Sequence, residues 1–382
     1  MLINKAYKFR MYPNTSQQEL INKTIGCTRF IYNKMLESKL NNPSLSRFDL
    51  NKEIPKLYKE YLFLKEVDST SLRCAVKDLA EGFHAYYARI GEQPRFKKNG
   101  KKNSYRTNFI TSEYKGTTYE NIKLDLAKRT IKLPKLKEVS IRGYRNLSNL
   151  PGRIINATIE KVANKYYVSL CVEEEIELID NKEITAVGID VGVHSLVVTS
   201  DGEEYGNPKY LTKYEKKLKG LSRSLARKQR GSKNYYKAKM KLQEVYRKLG
   251  NARKKKIEEI ISKITKENDI IVTEKLKVDK MIKENTKHLR KEITNATLST
   301  IIRNIEYKCR WLNKIFYQVD TYYPSSQICC VCENRNKEMK DLTKRQYECS
   351  KCGNTIGRDL NASINILIEG LNKLNKERIS KI

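Results

Sequence analysis

Apolar and polar residues alternate from Ile3 to Tyr12, broken only at Asn4, and the run stops at Pro13. That is the pattern of a half-buried strand. Apolar positions then fall four or five apart through Leu20, Ile21, Ile25 and Phe30, which predicts a helix capped by Thr15 or Ser16. Further helices are expected over roughly 50–65 and 69–90, so residues 16–95 read as an all-α unit. From Gln93 the pattern shifts. The basic stretch PRFKKNGKKNSYR leads into short strand-like pieces at 123–126, 130–133, 140–143, 154–162 and 166–172, with a hairpin turn at Asn164-Lys165. These pieces make a β-rich unit, which strand 3–12 is expected to join around the helical insertion.

The second half alternates strands and helices. AVGIDVG is a buried strand with glycine on both sides of an aspartate. SLVVTSDG is a second strand closed by an Asp201-Gly202 turn. Residues 209–256 are helical, interrupted near Gly231-Ser232. DIIVTEKL (269–276) is a strand, 297–316 an amphipathic helix, 317–319 a strand, and a final helix runs from about Leu360 to Leu374. No internal repeat is visible. Mixed strand and helix over 382 residues predicts a multidomain α/β protein.

Charge changes this picture most. Lys and Arg number 77 against 44 Asp and Glu, a net charge of +33. A chain this basic repels itself unless it meets a polyanion, and nucleic acid is the polyanion that fits. No apolar run approaches the ~18–20 residues of a membrane-spanning helix, and MLINKAYKFRMYPN lacks the apolar centre of a signal peptide. The expectation is a cytoplasmic, intracellular protein, at the nucleoid when on DNA, with no membrane partner.

Nine cysteines without an export signal favour thiols and metal over disulfides. Cys329-x-x-Cys332 and Cys349-x-x-Cys352 stand sixteen residues apart. Four thiolates offered from two tight turns close a tetrahedral site that suits structural zinc. Cys330 would spoil the spacing. Cys27, Cys74, Cys171 and Cys309 stand alone and read as core residues.

Three acids carry the candidate chemistry. Asp190 lies in an apolar strand, where a lone carboxylate is costly without a cation. Glu274 ends the strand IIVTE. Asp359 opens a helix whose small residues Asn361-Ala362-Ser363 allow close approach to a sheet. Each has an ordinary reading alone: a turn, a solvent-facing strand end, an N-cap. Clustered, they could hold Mg²⁺ or Mn²⁺ for phosphodiester hydrolysis.

This order of motifs resembles the RuvC nuclease fold, a relative of RNase H, and more closely the TnpB family of transposon-encoded, RNA-guided DNA endonucleases related to type V CRISPR effectors. The resemblance rests on KAYKFRMYPNTSQQELINKTIGCTRFIYN, on PRFKK and GIDVGVHSLVVTSDG, on the basic run RKQRGSKNYYKAKMKLQEVYRKLGNARK, and above all on YYPSSQICCVC…YECSKCGNTIGRDLNASINI. It implies that Asp190, Glu274 and Asp359 are catalytic and bind magnesium. It also implies that a guide RNA from the transposon end directs cleavage of double-stranded DNA beside a short target-adjacent motif. The implied organisation is a barrel-like β domain (1–15 and 96–180), a helical recognition domain (16–95) and a RuvC-like nuclease domain (183–382) with a basic helical insertion (209–256) and a zinc knuckle (325–356). One departure is Gly357, where the family often has Asp.

Twenty-four tyrosines lie among the cations. Tyrosine can stack on bases while Lys and Arg track phosphate. Tyr86, Tyr87, Arg95, Lys97, Lys98, Lys101, Lys102, Tyr105 and Arg106 form one such cluster; Tyr235, Tyr236, Lys237 and Lys239 form another. Arg227, Lys228 and Arg230 join these as candidate nucleic-acid contacts, because 209–256 holds only two acids, Glu215 and Glu244. His84, His194 and His288 show no pattern. A nuclease-inactive guided repressor, a compact type V effector and a transposase proper remain alternatives to the endonuclease; oligomeric state is open.

Overall fold

Alternation decides the first element. β1 (Leu2–Tyr12) turns Ile3, Tyr7, Phe9 and Met11 inward and leaves its other side chains at least partly open to solvent. Asn14, one residue earlier than expected, caps α1 (Thr15–Asn41): its side chain accepts from the Gln17 N–H at 2.9 Å, and Gln17 returns the bond to the Asn14 N–H at 3.1 Å. α2 (Arg47–Glu60) and α3 (Ser69–Tyr87) pack with α1 around Ile31, Met35, Leu36, Leu64, Leu72 and Leu79. The computed structural model describes residues 1–99, 103–114, 116–143, 150–176, 184–341 and 343–379. Lys101, Lys102 and the expected boundary near 180–183 lie outside them.

The strands that follow are β2 (Ser104–Asn108), β3 (Thr111–Tyr114), β4 (Thr117–Glu120), β5 (Lys123–Asp125), β6 (Thr130–Leu133), β7 (Lys137–Arg142), β8 (Arg153–Val162) and β9 (Lys165–Glu175). Seven strands form one sheet in the order β2-β8-β9-β1-β7-β6-β5, every neighbour antiparallel. β1 runs beside β9 from Leu2–Glu175 to Met11–Tyr166 and so does join the β-rich segment. β3 and β4 pair as a separate hairpin. Barrel closure is not seen: among the described residues β2 and β5 end the sheet without pairing to each other. The β8–β9 turn is Ala163-Asn164, one residue before the expected pair, with Ala163 at φ +55°. Met1–Glu175 is one compact unit.

The second unit, Ile176–Ile382, is built on five strands. β10 (Ala186–Asp190), β11 (Ser195–Thr199) and β12 (Glu204–Gly206) form an antiparallel meander. α4 (Tyr210–Ala226) and α5 (Lys233–Glu267) make a helical hairpin sealed by Leu218, Val245 and Leu249. Then come β13 (Ile270–Glu274), α6 (Val278–Glu284), α7 (Lys287–Ala296), α8 (Leu298–Trp311), β14 (Ile315–Val319), the short hairpin β15 (Gln346–Glu348) and β16 (Thr355–Gly357), and α9 (Arg358–Ile379). α8 ends earlier than its apolar spacing suggests; Phe316 belongs to β14. The strand order is β12-β11-β10-β13-β14, with β10, β13 and β14 parallel. On one face Val187, Ile189 and Ile271 meet Ile257, Ile261 and Ile264 of α5 and Ile301 and Ile305 of α8.

α9 covers the other face, and two glycines set how close it comes. A Cβ on Gly188 of β10 would lie 2.1 Å from the Ser363 carbonyl oxygen, and one on Gly370 of α9 would lie 2.3 Å from a Val272 methyl. The helix therefore meets the sheet backbone to backbone at β10, and two turns later its backbone rests on the Val272 side chain of β13. Ala362 and Ser363 are both buried there, as their small size allows.

Candidate carboxylate and cysteine sites

Asp190 and Glu274 each directly follow the last pair of the β10–β13 ladder, Ile189–Thr273. Parallel register thus sets two carboxylates side by side at the C-terminal edge of the sheet. The close contact of α9 with Gly188 brings Asp359, one helical turn before Ser363, toward the same edge. All three acids line one cavity of about 960 Å³. Its wall also holds His194, Lys277, Tyr322, Arg345 and Arg358.

Asp190 and Glu274 resist ionisation. Burial pushes the Asp190 carboxyl up to about 7; the Asp359 charge adds to this, and the Arg358 guanidinium and the Val191 N–H oppose it. Burial, and then the charge of Asp190, pushes Glu274 up to about 7. Both still keep surface open to the cavity. A group of acids in this state is short of positive charge, and its oxygen donors suit a hard divalent cation. The three carboxylates do not converge as tightly as ligands of a single ion. Among the described residues, only the cysteines bring three or more ligand atoms that close together. Two ions about 4 Å apart need the wider spread of donors that three separate elements give.

Those cysteines come from two matching turns. The Cys329 N–H donates to the Asn334 carbonyl and the Cys349 N–H to the Asn354 carbonyl, each at 2.9 Å. The Glu333 N–H closes the first turn onto Cys329 at 3.0 Å and the Gly353 N–H the second onto Cys349 at 2.9 Å. Glu333 and Gly353 both take positive φ, +59° and +70°, a conformation that glycine adopts without strain. The four Sγ atoms lie within 4.8 Å of one another, with Cys329–Cys352 at 3.7 Å and Cys332–Cys349 at 3.4 Å. Zinc–sulfur bonds of about 2.3 Å in a tetrahedron require sulfur–sulfur edges of about 3.8 Å, so the cluster fits zinc. The Cys352 and Lys351 N–H groups draw the Cys349 thiol below its ordinary value, which favours the ligating thiolate. Cys330 stands outside the set.

Several side chains that tie these parts together carried no signal of their own in the sequence. Arg358, 8% exposed, donates from Nη1 to the Asp341 carbonyl at 2.7 Å. Asn361 and Asn365 bond backbone groups of 325–330. Their i, i+4 spacing, which puts both on one helix face, is the only hint available beforehand.

The expected nucleic-acid contacts divide. Arg227, Lys228 and Arg230, at the tip between α4 and α5, are exposed, as is Lys237 early in α5. Arg95 is exposed and pairs with Glu92 at 3.2 Å. Lys98 is exposed; the Lys97 ammonium lies 3.6 Å from the centre of the Tyr32 ring. Tyr105 is a correction. It is 6% exposed in the sheet core, because β2 alternates and turns Tyr105 and Thr107 inward, so its ring cannot stack on a base.

Family models match three stretches: residues 169–285 the model described as a probable transposase, 299–366 the Cas12f1-like TNB domain, and 1–42 a helix-turn-helix domain, although here 1–42 forms one strand and one helix. A Streptomyces pristinaespiralis protein named for RNA-guided DNA endonuclease activity is 30% identical over 376 residues, covering 97% of this chain and 90% of that one. Escherichia coli InsQ, named likewise, is 28% identical and covers 96% of this chain and 92% of its own length. The solved mini-RNA-guided endonuclease CRISPR-Cas phi3 covers 95% of this chain and 92% of its own at 9% identity and a TM-score of 0.48, too distant to add to the assignment. With identity at this level spread over almost the whole of both chains, this protein belongs to the TnpB family of transposon-encoded, RNA-guided DNA endonucleases.

Proposed function

We propose that the protein cuts DNA under the direction of a bound RNA, and that Asp190, Glu274 and Asp359 are its catalytic carboxylates. One observation carries the catalytic part: the three acids share one cavity at the edge of β10 and β13, and burial, with the charge of a neighbouring acid, pushes two of them up to about 7. The strand order β12-β11-β10-β13-β14, a meander followed by parallel strands, supports the reading of this unit as an RNase H-like or RuvC-like nuclease domain. Guide RNA and double-stranded target DNA as partners are inferred from the names of the relatives and agree with a net charge of +33.

Asp190, Glu274 and Asp359 would hold Mg²⁺ or Mn²⁺. Bound there, divalent ions supply charge neutralisation on the attacking and leaving oxygens of the phosphodiester. Lys277 and Arg345 in the cavity wall are placed to attract the phosphate backbone, and Arg358 offsets part of the charge beside Asp190. Cys329, Cys332, Cys349 and Cys352 would hold zinc in a closed structural site. Arg95, Lys98, Arg227, Lys228, Arg230 and Lys237 offer exposed cations to phosphate and take no part in the chemistry.

The test is cleavage of a matched duplex by wild type and by Asp190→Ala, each purified with its RNA, with DNA binding measured in parallel. Loss of a supporting group around a metal costs 10–100-fold, so loss of a ligand should slow cleavage by at least about 100-fold, with binding retained. Equal cleavage by both proteins overturns the assignment. Binding without cleavage by either supports a guided repressor instead.

A further inference from the structure

The helix that carries Asp359 is pinned to the backbone around a zinc-ligand candidate. The Asn361 side chain makes two bonds: Oδ1 accepts from the Cys330 N–H at 3.0 Å, and Nδ2 donates to the Ile328 carbonyl at 2.7 Å. Those two backbone groups flank Cys329, itself fully buried. Asn365, one turn along α9, donates to the same Ile328 carbonyl at 2.7 Å and to the Ser325 carbonyl at 2.8 Å. At the helix start the Arg358 N–H donates to the Arg345 carbonyl at 2.8 Å.

Both asparagines are essentially buried, Asn361 at 0% and Asn365 at 3% exposure. An apolar side chain would fill that space at less desolvation cost. What the amide adds is direction: it pairs with a peptide segment as a neighbouring strand would, and it fixes the rotation and height of the helix against that segment. Residues two apart on a helix point different ways. Asn361 can therefore hold the cysteine turn while Asp359 lines the carboxylate cavity and Ser363 rests against Gly188.

We propose that Asn361, supported by Asn365, is a positioning residue that makes the Cys329 turn and the Asp359 carboxylate one rigid piece, so that an ordered cysteine site is needed for tight binding of divalent ions at Asp190, Glu274 and Asp359. This deepens the reading of those acids as an ion site and rests on it. The cysteine turn has little core of its own: Cys329, Met339, Tyr347 and Cys349 are its buried members, and two of these are proposed ligands. Without zinc it loses its order, and Asn361 then has no fixed partner.

The experiment measures Mn²⁺ binding by electron paramagnetic resonance on the full chain, independently of cleavage, together with zinc content and hydrogen exchange over 328–331 and 357–363. Asn361→Ala should weaken Mn²⁺ binding by roughly 10- to 100-fold, the usual cost of losing a group that orients a ligand. Asn365→Ala should do so less. Asn336→Ala is the control: its amide donates to the Glu348 carbonyl at 3.4 Å and accepts from the Glu338 N–H at 3.0 Å, contacts that stay within residues 336–348. It should leave Mn²⁺ binding unchanged. Should Asn361→Ala fail to fold, Asn365→Ala and chelation of zinc from wild type provide the same readout. Wild-type Mn²⁺ affinity in the folded variants, or in the zinc-stripped protein, overturns the proposal. If Asp190→Ala also binds Mn²⁺ like wild type, the ion-site reading has failed; the pinning is then judged on exchange alone, and unchanged protection in both segments of Asn361→Ala overturns it.

Discussion

The cysteine turns and the carboxylate cavity face opposite problems with the same kind of charge. The cysteines gather four sulfur atoms within 4.8 Å, using N–H groups that point at them and turns that repeat residue for residue. Their scaffold is a few buried side chains, so zinc bound there, as proposed, would order the ligand set as much as the set orders zinc. The carboxylates stand at the edge of a sheet with a deep aliphatic core on one face and a long helix on the other. That scaffold is built from buried aliphatic side chains and a close helix contact, and it holds the acids together against their repulsion. Under the proposed roles, a structural metal site can be local and soft, whereas a site that must accept and release ions and phosphate needs a frame that stands without them.

Zinc removal tests this contrast most severely. Structural zinc supplies on the order of 10 kcal/mol to small domains. Stripping it, or making Cys349→Ser, should disorder residues 325–357 and lower zinc from about one per chain, as a four-thiolate site binds. The five-stranded sheet should stay folded, as read by hydrogen exchange over β10 and β13. Freshly purified, reduced protein without zinc contradicts the reading of the cysteines; collapse of the sheet on stripping contradicts the contrast.

The opposite break is made in the frame. Gly188→Ala drives a Cβ to within 2.1 Å of the Ser363 carbonyl oxygen. Overpacking costs about 1–3 kcal/mol, and a backbone obstacle yields less readily than a side chain, so the upper end is expected. Gly206→Ala, where nothing lies within 4 Å, should be close to neutral. Denaturant midpoints compare the two, and equal stability would mean that α9 is not held by that contact.

The smallest expected effect is on pH. Asp190 and Glu274 sit near 7 in the folded, metal-free chain, against about 4 for carboxyl groups in an unfolded one. Between those values the folded state binds more protons than the unfolded state, so their contribution to stability falls as pH rises through the window and is level above it. Mg²⁺ should remove the fall by taking the place of the protons. The measurement is the pH dependence of Tm in EDTA and in Mg²⁺, for wild type minus Asp190→Asn. A difference that grows with pH in EDTA would contradict the predicted ionisation.

Local features were legible in the sequence because they depend on near neighbours. β1, α1, β10, β13 and the cysteine turns follow from alternation, helical spacing and CxxC spacing alone. Tyr105 was misread because a cation-rich composition says nothing about which face of a strand is buried; only the pairing of β2 with β8 decides that. The catalytic reading of the acids drew on family resemblance as well as on their setting in strand and helix, since nothing local says that Asp190, Glu274 and Asp359 meet. Parallel register brings the first two together, and a glycine too small to hold the helix away brings the third. Asn361 shows the limit most plainly. By sequence it is a small polar residue after an aspartate, and its role exists only once a chain segment thirty residues upstream folds back to present one carbonyl and one N–H at the spacing of an amide. Spacing along the chain fixes chemistry that lies within a turn or two; chemistry assembled from distant segments is fixed by packing, because only the buried core determines which backbone groups are brought face to face.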